Sequence, residues 1–254
     1  MDKTINQLTT FRKEVSDKQK IFDAIVYSLL FLLICWIVFV MTEYLGFDLK
    51  SHGMRPRSIE GLKGIITMHF LHADLKHIAQ NSMGFLVLNS FLFYFYRSIS
   101  LHVFLVLFFL TPVLLWLIGR PENHIGASAL IYGEFGFLAA SGIIRNNPIL
   151  LRVSLAVFFY YGSLVWYLFP INPAISWEGH LSGFIIGVGT AIYLRKKGPQ
   201  RKLYRYETEP ELPDDENAYW KIPDTTNSAE EKKEEKQQTR VTVRYHFKEN
   251  DKDK

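Results

Sequence analysis

Three short stretches of this chain carry residues whose types and spacing can do chemistry. In NHIGASALIYG (123–133), Ser128 sits among small residues at the head of an apolar run. Tyr132 follows four residues later, so it shares the serine's helical face. In HIAQNSMG (77–84), His77 and Asn81 are four apart and Gly84 continues their face. In EGHLSGFIIGVG (178–189), His180, Gly183 and Gly187 fall on one stripe. Each stretch also has a purely structural reading. Serine in an apolar helix often bonds back to a carbonyl, His77 and Asn81 suit interhelical hydrogen bonding, and small residues let helices approach closely. Taken together they supply the parts for acyl transfer. Ser128 Oγ attacks a carbonyl, and His180 is general base and then general acid. The Ser128 N–H, Asn81 and His77 then stabilise the oxyanion. A helix start at the serine adds unpaired N–H groups and the positive end of a dipole. No carboxylate is placed to orient His180. Tyr132 is expected to pack its ring on the imidazole, and a Ser-His dyad satisfies triad logic because the roles are geometric.

These residues need elements that bring them to one depth. The chain has 254 residues, 48% hydrophobic and 15% aromatic, with a formal net charge of +4. Those averages join unlike parts: a polar arm (1–20), an apolar core (21–195) and a charged tail (196–254). About 20 apolar residues cross a hydrocarbon core, and the core offers six such stretches, at 21–47, 77–96, 101–118, 126–144, 149–169 and 177–194. A backbone inside a bilayer must bond to itself, so these are expected as helices. The fold class expected is an all-α membrane protein, a six-transmembrane-helix bundle with a polar C-terminal tail. Basic residues at both ends (Lys3, Arg12, Lys13, Lys18 and Lys20; Arg195, Lys196, Lys197, Arg201 and Lys202) put both termini in the cytoplasm. Five basic residues in the 48–76 loop argue the other way. With the ends inside, the even spans all begin at the outer face, so His77, Ser128 and His180 share a depth.

The 48–76 loop is too apolar for a solvated linker and is expected to lie partly in the outer interface. The tail, with SAEEKKEEKQQ, has the composition of a mostly disordered segment, although TRVTVRYHF alternates like a strand. Cys35, the single cysteine, cannot form an intramolecular disulfide and is expected to pack as a small apolar group. The N-terminus lacks the pattern of a secretory signal peptide.

At HIAQN, GASALIYG and GHLSGFIIG the chain resembles the rhomboid family of intramembrane serine proteases. The resemblance covers about residues 21–195 and does not extend to the tail. It implies a six-helix bundle with an active site in a cavity open to the outer side. Ser128 then matches the nucleophile, His180 the base, and His77 and Asn81 the oxyanion positions. Tyr132 matches the aromatic that stacks on the base, and His72 a histidine that supports the first loop. In the family the fifth span and the loop before the sixth move to admit substrate, and the resemblance assigns that part here to the fifth span and PINPAISWEG. Ala129 stands where the family usually has glycine, and Arg55 and Arg57 lack the tryptophan that accompanies arginine in many members.

The function expected is cleavage of transmembrane segments of membrane proteins, with such proteins and the lipid bilayer as partners and no cofactor. The expected location is the plasma membrane, as a multi-pass protein. A non-catalytic scaffold that binds transmembrane helices is the alternative. Transport predicts inverted repeats or interrupted helices, and none is evident. Metal-dependent proteolysis wants His-Glu-x-x-His on a helix, which is absent, and the histidines of HFLHADLKH are read as structural rather than zinc ligands. The mixed charges of the tail do not favour nucleic acid. The sequence leaves the substrate and the oligomeric state open.

Overall fold

A computed structural model describes residues 15–172 and 175–201. The first part of the polar arm, most of the tail and its strand-like end lie outside the described residues. The described chain is built of helices, with no strand among the described residues and one isolated bridge, between Met54 and His124.

Six helices form the body: α1 (Asp17–Glu43), α2 (Leu75–Phe95), α3 (Ser100–Ile118), α4 (Ser128–Ile144), α5 (Pro148–Tyr161) and α6 (Trp177–Tyr193). Three stretches are long and apolar enough to cross a membrane: Asp17–Glu43, Ser100–Ile118 and Pro148–Leu168. Four helix starts follow capping chemistry rather than the first apolar residue, while α3 and α4 begin without a side-chain cap. Ser16 accepts from the Gln19 N–H and starts α1 four residues earlier than the apolar run. Asp74 accepts from the His77 N–H at 2.8 Å and starts α2 just before its polar pair. Asn147 caps α5 with Pro148 at the first position, and Ser176 caps α6.

The fifth apolar run is not one α-helix to Phe169, as its composition suggests. α5 stops at Tyr161 and residues Gly162–Leu168 continue as a 3₁₀ segment. Two carbonyls of that segment, at Leu164 and Tyr167, face side chains of α4 and α6.

α4 is the central helix, buried on nearly all sides. It meets α6 backbone to backbone. A Cβ on Gly183 would overlap the Ala129 carbonyl oxygen, and one on Gly187 would overlap the Gly133 carbonyl oxygen. Both glycines therefore act as the close-packing positions their spacing predicts. At the opposite end of α4, buried Arg145 gathers carbonyls. It donates to those of Leu194 (2.7 Å), Arg195 (3.2 Å), Lys197 and Pro199 (3.3 Å), and to Ser141 Oγ (2.8 Å). Its guanidinium lies over the Tyr96 ring.

The 48–74 connection is ordered by short helical turns and folds onto α3 and the start of α4. Trp116 Nε1 donates to the Ser58 carbonyl, His69 Nε2 donates to the Phe108 carbonyl, and the Gly126 N–H donates to the Met68 carbonyl. Met54 and Met68 pack with Leu115 and Ala129 in one buried cluster. The apolar residues of this loop thus have a packing role beside the serine.

Candidate active site

The chain enters α4 through Gly126, at φ +117°, a left-handed conformation that favours glycine. Ser128 is the first residue of α4 and is half-buried, with Ala127 and Ala129 buried on either side. As the first helical residue, it presents an N–H with no acceptor inside the helix. Ser128 Oγ makes no hydrogen bond among the described residues.

α2 brings His77 and Asn81 to the same spot. A Cβ on Gly126 would lie 2.7 Å from His77 Nε2 and 3.4 Å from Asn81 Nδ2. The Ala73 N–H donates to His77 Nδ1 at 3.4 Å. Nδ1 is thus the acceptor nitrogen, and Nε2, which faces Gly126, carries the proton. Asn81 is 8% exposed and its Nδ2 is a buried donor with no protein partner. Two spare donors therefore converge two residues before the serine. His72 packs against His77 with ring centroids 5.1 Å apart. His72 Nδ1 donates to the Phe70 carbonyl at 3.3 Å, and burial, with the charge of His77 adding, holds the imidazole down at about 4.

α6 brings His180. Its ring stacks on Tyr132 with centroids 4.0 Å apart and planes 6° from parallel. His180 Nδ1 lies 3.1 Å from the Tyr167 carbonyl. A carbonyl only accepts, so Nδ1 carries the proton and Nε2 has the free lone pair. The group that orients this imidazole is main chain, where a triad has a carboxylate. Tyr132 donates its own hydroxyl to the Leu164 carbonyl at 3.0 Å. The ring and the stacked imidazole are thus both tied to the 3₁₀ segment. The α4–α6 register sets Ala129 against Gly179 and Gly183, so His180, between those glycines, stands level with Ser128.

Ser128, His180, His77, Asn81 and Tyr132 are therefore gathered around the start of α4, and Gly183 and Gly187 close the interface behind them. Three contributors were missed by sequence reasoning. Glu178, 2% exposed, pairs with Arg120 Nε at 2.7 Å. His124 lies 2.6 Å from Ser176 Oγ. The third is the Tyr167 carbonyl. A carboxylate in the first turn of an apolar helix was a visible signal for the first; a backbone carbonyl has none.

Comparison with known proteins adds an independent line. The Rhomboid domain family matches residues 60–197, which contain every residue of this site. An uncharacterized protein of Mycobacterium tuberculosis (strain ATCC 25618 / H37Rv) is 32% identical over 183 residues, covering 68% of this chain and 75% of that protein. An uncharacterized protein of Mycobacterium leprae (strain TN) is 29% identical over 187 residues, covering 70% and 73%. The family match takes in more than half of the chain and spans α2 to α6: this chain belongs to the rhomboid family.

Proposed function

We propose that this protein is an intramembrane serine endopeptidase that cuts transmembrane segments of other membrane proteins with a Ser128–His180 dyad. One observation carries the reading. An imidazole stacked on Tyr132 has its Nδ1–H bound to a carbonyl, which leaves Nε2 as a base level with a serine at a helix start. In the reaction, Ser128 Oγ forms a bond to the scissile carbonyl carbon as its proton passes to His180 Nε2. The oxyanion collects hydrogen bonds from the Ser128 N–H, His77 Nε2 and Asn81 Nδ2. Collapse breaks the C–N bond, and His180 returns the proton to the leaving amine. Water then repeats the sequence on the acyl-enzyme. Positions aimed at the charge that develops, in a site walled by helices, give each donor more effect than it has in water.

In this reading α1, α2, α3, α4, α5 with its 3₁₀ extension, and α6 are six crossings. Both termini are cytoplasmic, the protein lies in the plasma membrane, and the site opens on the outer side. The test is covalent labelling of the purified protein by a serine-directed fluorophosphonate, with cleavage of a panel of single-span substrates. Ser128→Ala should abolish both. His180→Ala should abolish cleavage, and the double variant should lose no more than either single one, because the groups act as a unit. An unlabelled, folded wild type that cuts nothing in the panel would leave the scaffold reading. Single cysteines at Lys3, Ser58 and Thr239 in a Cys35→Ala background test orientation. Labelling of Lys3→Cys but not Ser58→Cys by an impermeant thiol reagent in intact cells would reverse the topology.

A further inference from the structure

We infer that Arg120, Glu178 and His124 form a latch that sets His180 against Ser128, and that they are positioning residues for the proposed reaction. The inference rests on the Ser128–His180 reading above. The loop between α3 and α4 leads directly to the serine and is held firmly. The main chains of His124 and Met54 exchange two hydrogen bonds, at 2.9 and 2.8 Å, and the Gly126 N–H donates to the Met68 carbonyl at 2.8 Å. The start of α6, which carries the base, follows a connecting stretch and needs its own attachment.

Two side chains of the serine's loop supply it. Arg120 places Nε 2.7 Å from Glu178 Oε1, two residues before His180, and donates from Nη2 to the Ile175 carbonyl at 3.1 Å. His124 Nε2 donates to the Arg120 carbonyl at 3.0 Å, so its Nδ1 is the acceptor and takes the Ser176 hydroxyl at 2.6 Å. Ser176 Oγ in turn accepts from the N–H of Gly179, the residue before His180. The relay therefore runs from the loop of the nucleophile, through one imidazole and one hydroxyl, to the peptide beside the base. Glu178 is buried at 2% exposure while Arg120 is 30% exposed along its side chain. The arginine thus reaches from the rim of the site into the bundle. Glu178 sits in the first turn of α6, where a negative charge also suits the helix dipole. A structural ion pair placed at random would join any two elements; this one joins the segment leading to Ser128 with the turn carrying His180.

The experiment measures kcat and KM for a transmembrane substrate, and the fluorophosphonate labelling rate, in full-length protein in detergent. Arg120→Gln and Glu178→Gln should each lower kcat and the labelling rate by about 10- to 100-fold, since a misplacement of about 1 Å costs on that order. KM should stay within about twofold. Arg120→Lys, which keeps the charge but not the two-point reach, should recover part of the loss. Should Arg120→Gln fail to fold, Ser176→Ala and His124→Gln test the second arm alone, with an expected loss of about tenfold in labelling. Wild-type kcat and labelling in folded variants would overturn the inference, and so would a loss confined to KM. An unlabelled wild type would instead sink the dyad reading itself.

Discussion

Gly183→Ala tests how closely α4 and α6 must approach for the site to exist. The new Cβ would overlap the Ala129 carbonyl oxygen and also lie 3.0 Å from both the Ala129 carbonyl carbon and the Gly133 nitrogen. All three are backbone atoms of α4, so no side chain can swing away. Ordinary contact returns only if the helices part by roughly 1 Å, on the scale of overpacking that costs about 1–3 kcal/mol. Alanine gives back up to about 1 kcal/mol through helix propensity, leaving a net loss of up to about 2 kcal/mol. The functional loss should be larger. Parting α4 from α6 at Ala129 also parts Ser128 from His180, and about 1 Å there costs about 100-fold in rate. Gly189→Ala is the control, because a Cβ at Gly189 in the same helix meets nothing within 4 Å. It should leave labelling unchanged and stability equal or slightly higher. The assay is thermal unfolding in detergent alongside the fluorophosphonate labelling rate. Equal melting temperatures and equal labelling for Gly183→Ala and Gly189→Ala would refute the close-packing argument.

Other substitutions probe single features. Gly126→Ala forces a side chain into φ +117° and sets a Cβ 2.7 Å from His77 Nε2; it should cost about 1–3 kcal/mol and cut turnover by about 100-fold, measured as above. Asn81→Ala should lower turnover by about 10- to 1000-fold with little change in melting temperature, because Nδ2 has no protein partner to orphan. Tyr132→Phe keeps the stack and loses the bond to Leu164; it should cost about 1 kcal/mol and speed hydrogen exchange in residues 162–168. His69, in the 48–74 connection, is held down at about 4 by burial, partly offset by its bond to the Phe108 carbonyl. Its neutral ring is accommodated above its unfolded value of about 6.5, and stability falls as pH drops from there toward 4. Protection factors of residues 64–70 should decline over that window in wild type and less in His69→Gln.

The parts of the fold legible in sequence were those written in hydrophobic runs and small-residue spacing. Each of the six helices overlaps one of the expected stretches, although α1, α2, α3 and α5 begin one to four residues earlier, and the pairs His77–Asn81 and Ser128–Tyr132 each share a helical face because a spacing of four fixes it. Helix ends were read less well, since Ser16 and Asp74 begin helices by capping and carry no hydropathy signal. The early end of α5 was invisible because Gly162–Leu168 is as apolar as the helix before it. The orienting partner of His180 could not be found by scanning for carboxylates, because it is the carbonyl of Tyr167. The Arg120–Glu178 pair spans 58 positions, from 120 to 178, and is joined only by the tertiary fold. Ala129, the departure from the family pattern, fits because its methyl meets the bare face of Gly179, where an added Cβ would stand 3.7 Å away.

The carbonyl-gathering arginine at the far end of α4 has a mechanical consequence. Arg145 grips the chain at Leu194, Arg195, Lys197 and Pro199, and Asn147 Nδ2 adds Gln200 at 2.9 Å. All these acceptors belong to the few residues that follow α6, and both donors belong to the corner between α4 and α5. A force applied to the chain from residue 201 onward meets these bonds first. They share the load on a clamp rooted in the central helix, rather than unwinding α6 turn by turn toward His180. Arg145 works as the strain relief on a cable, set between the chain beyond residue 200 and the helix that carries His180.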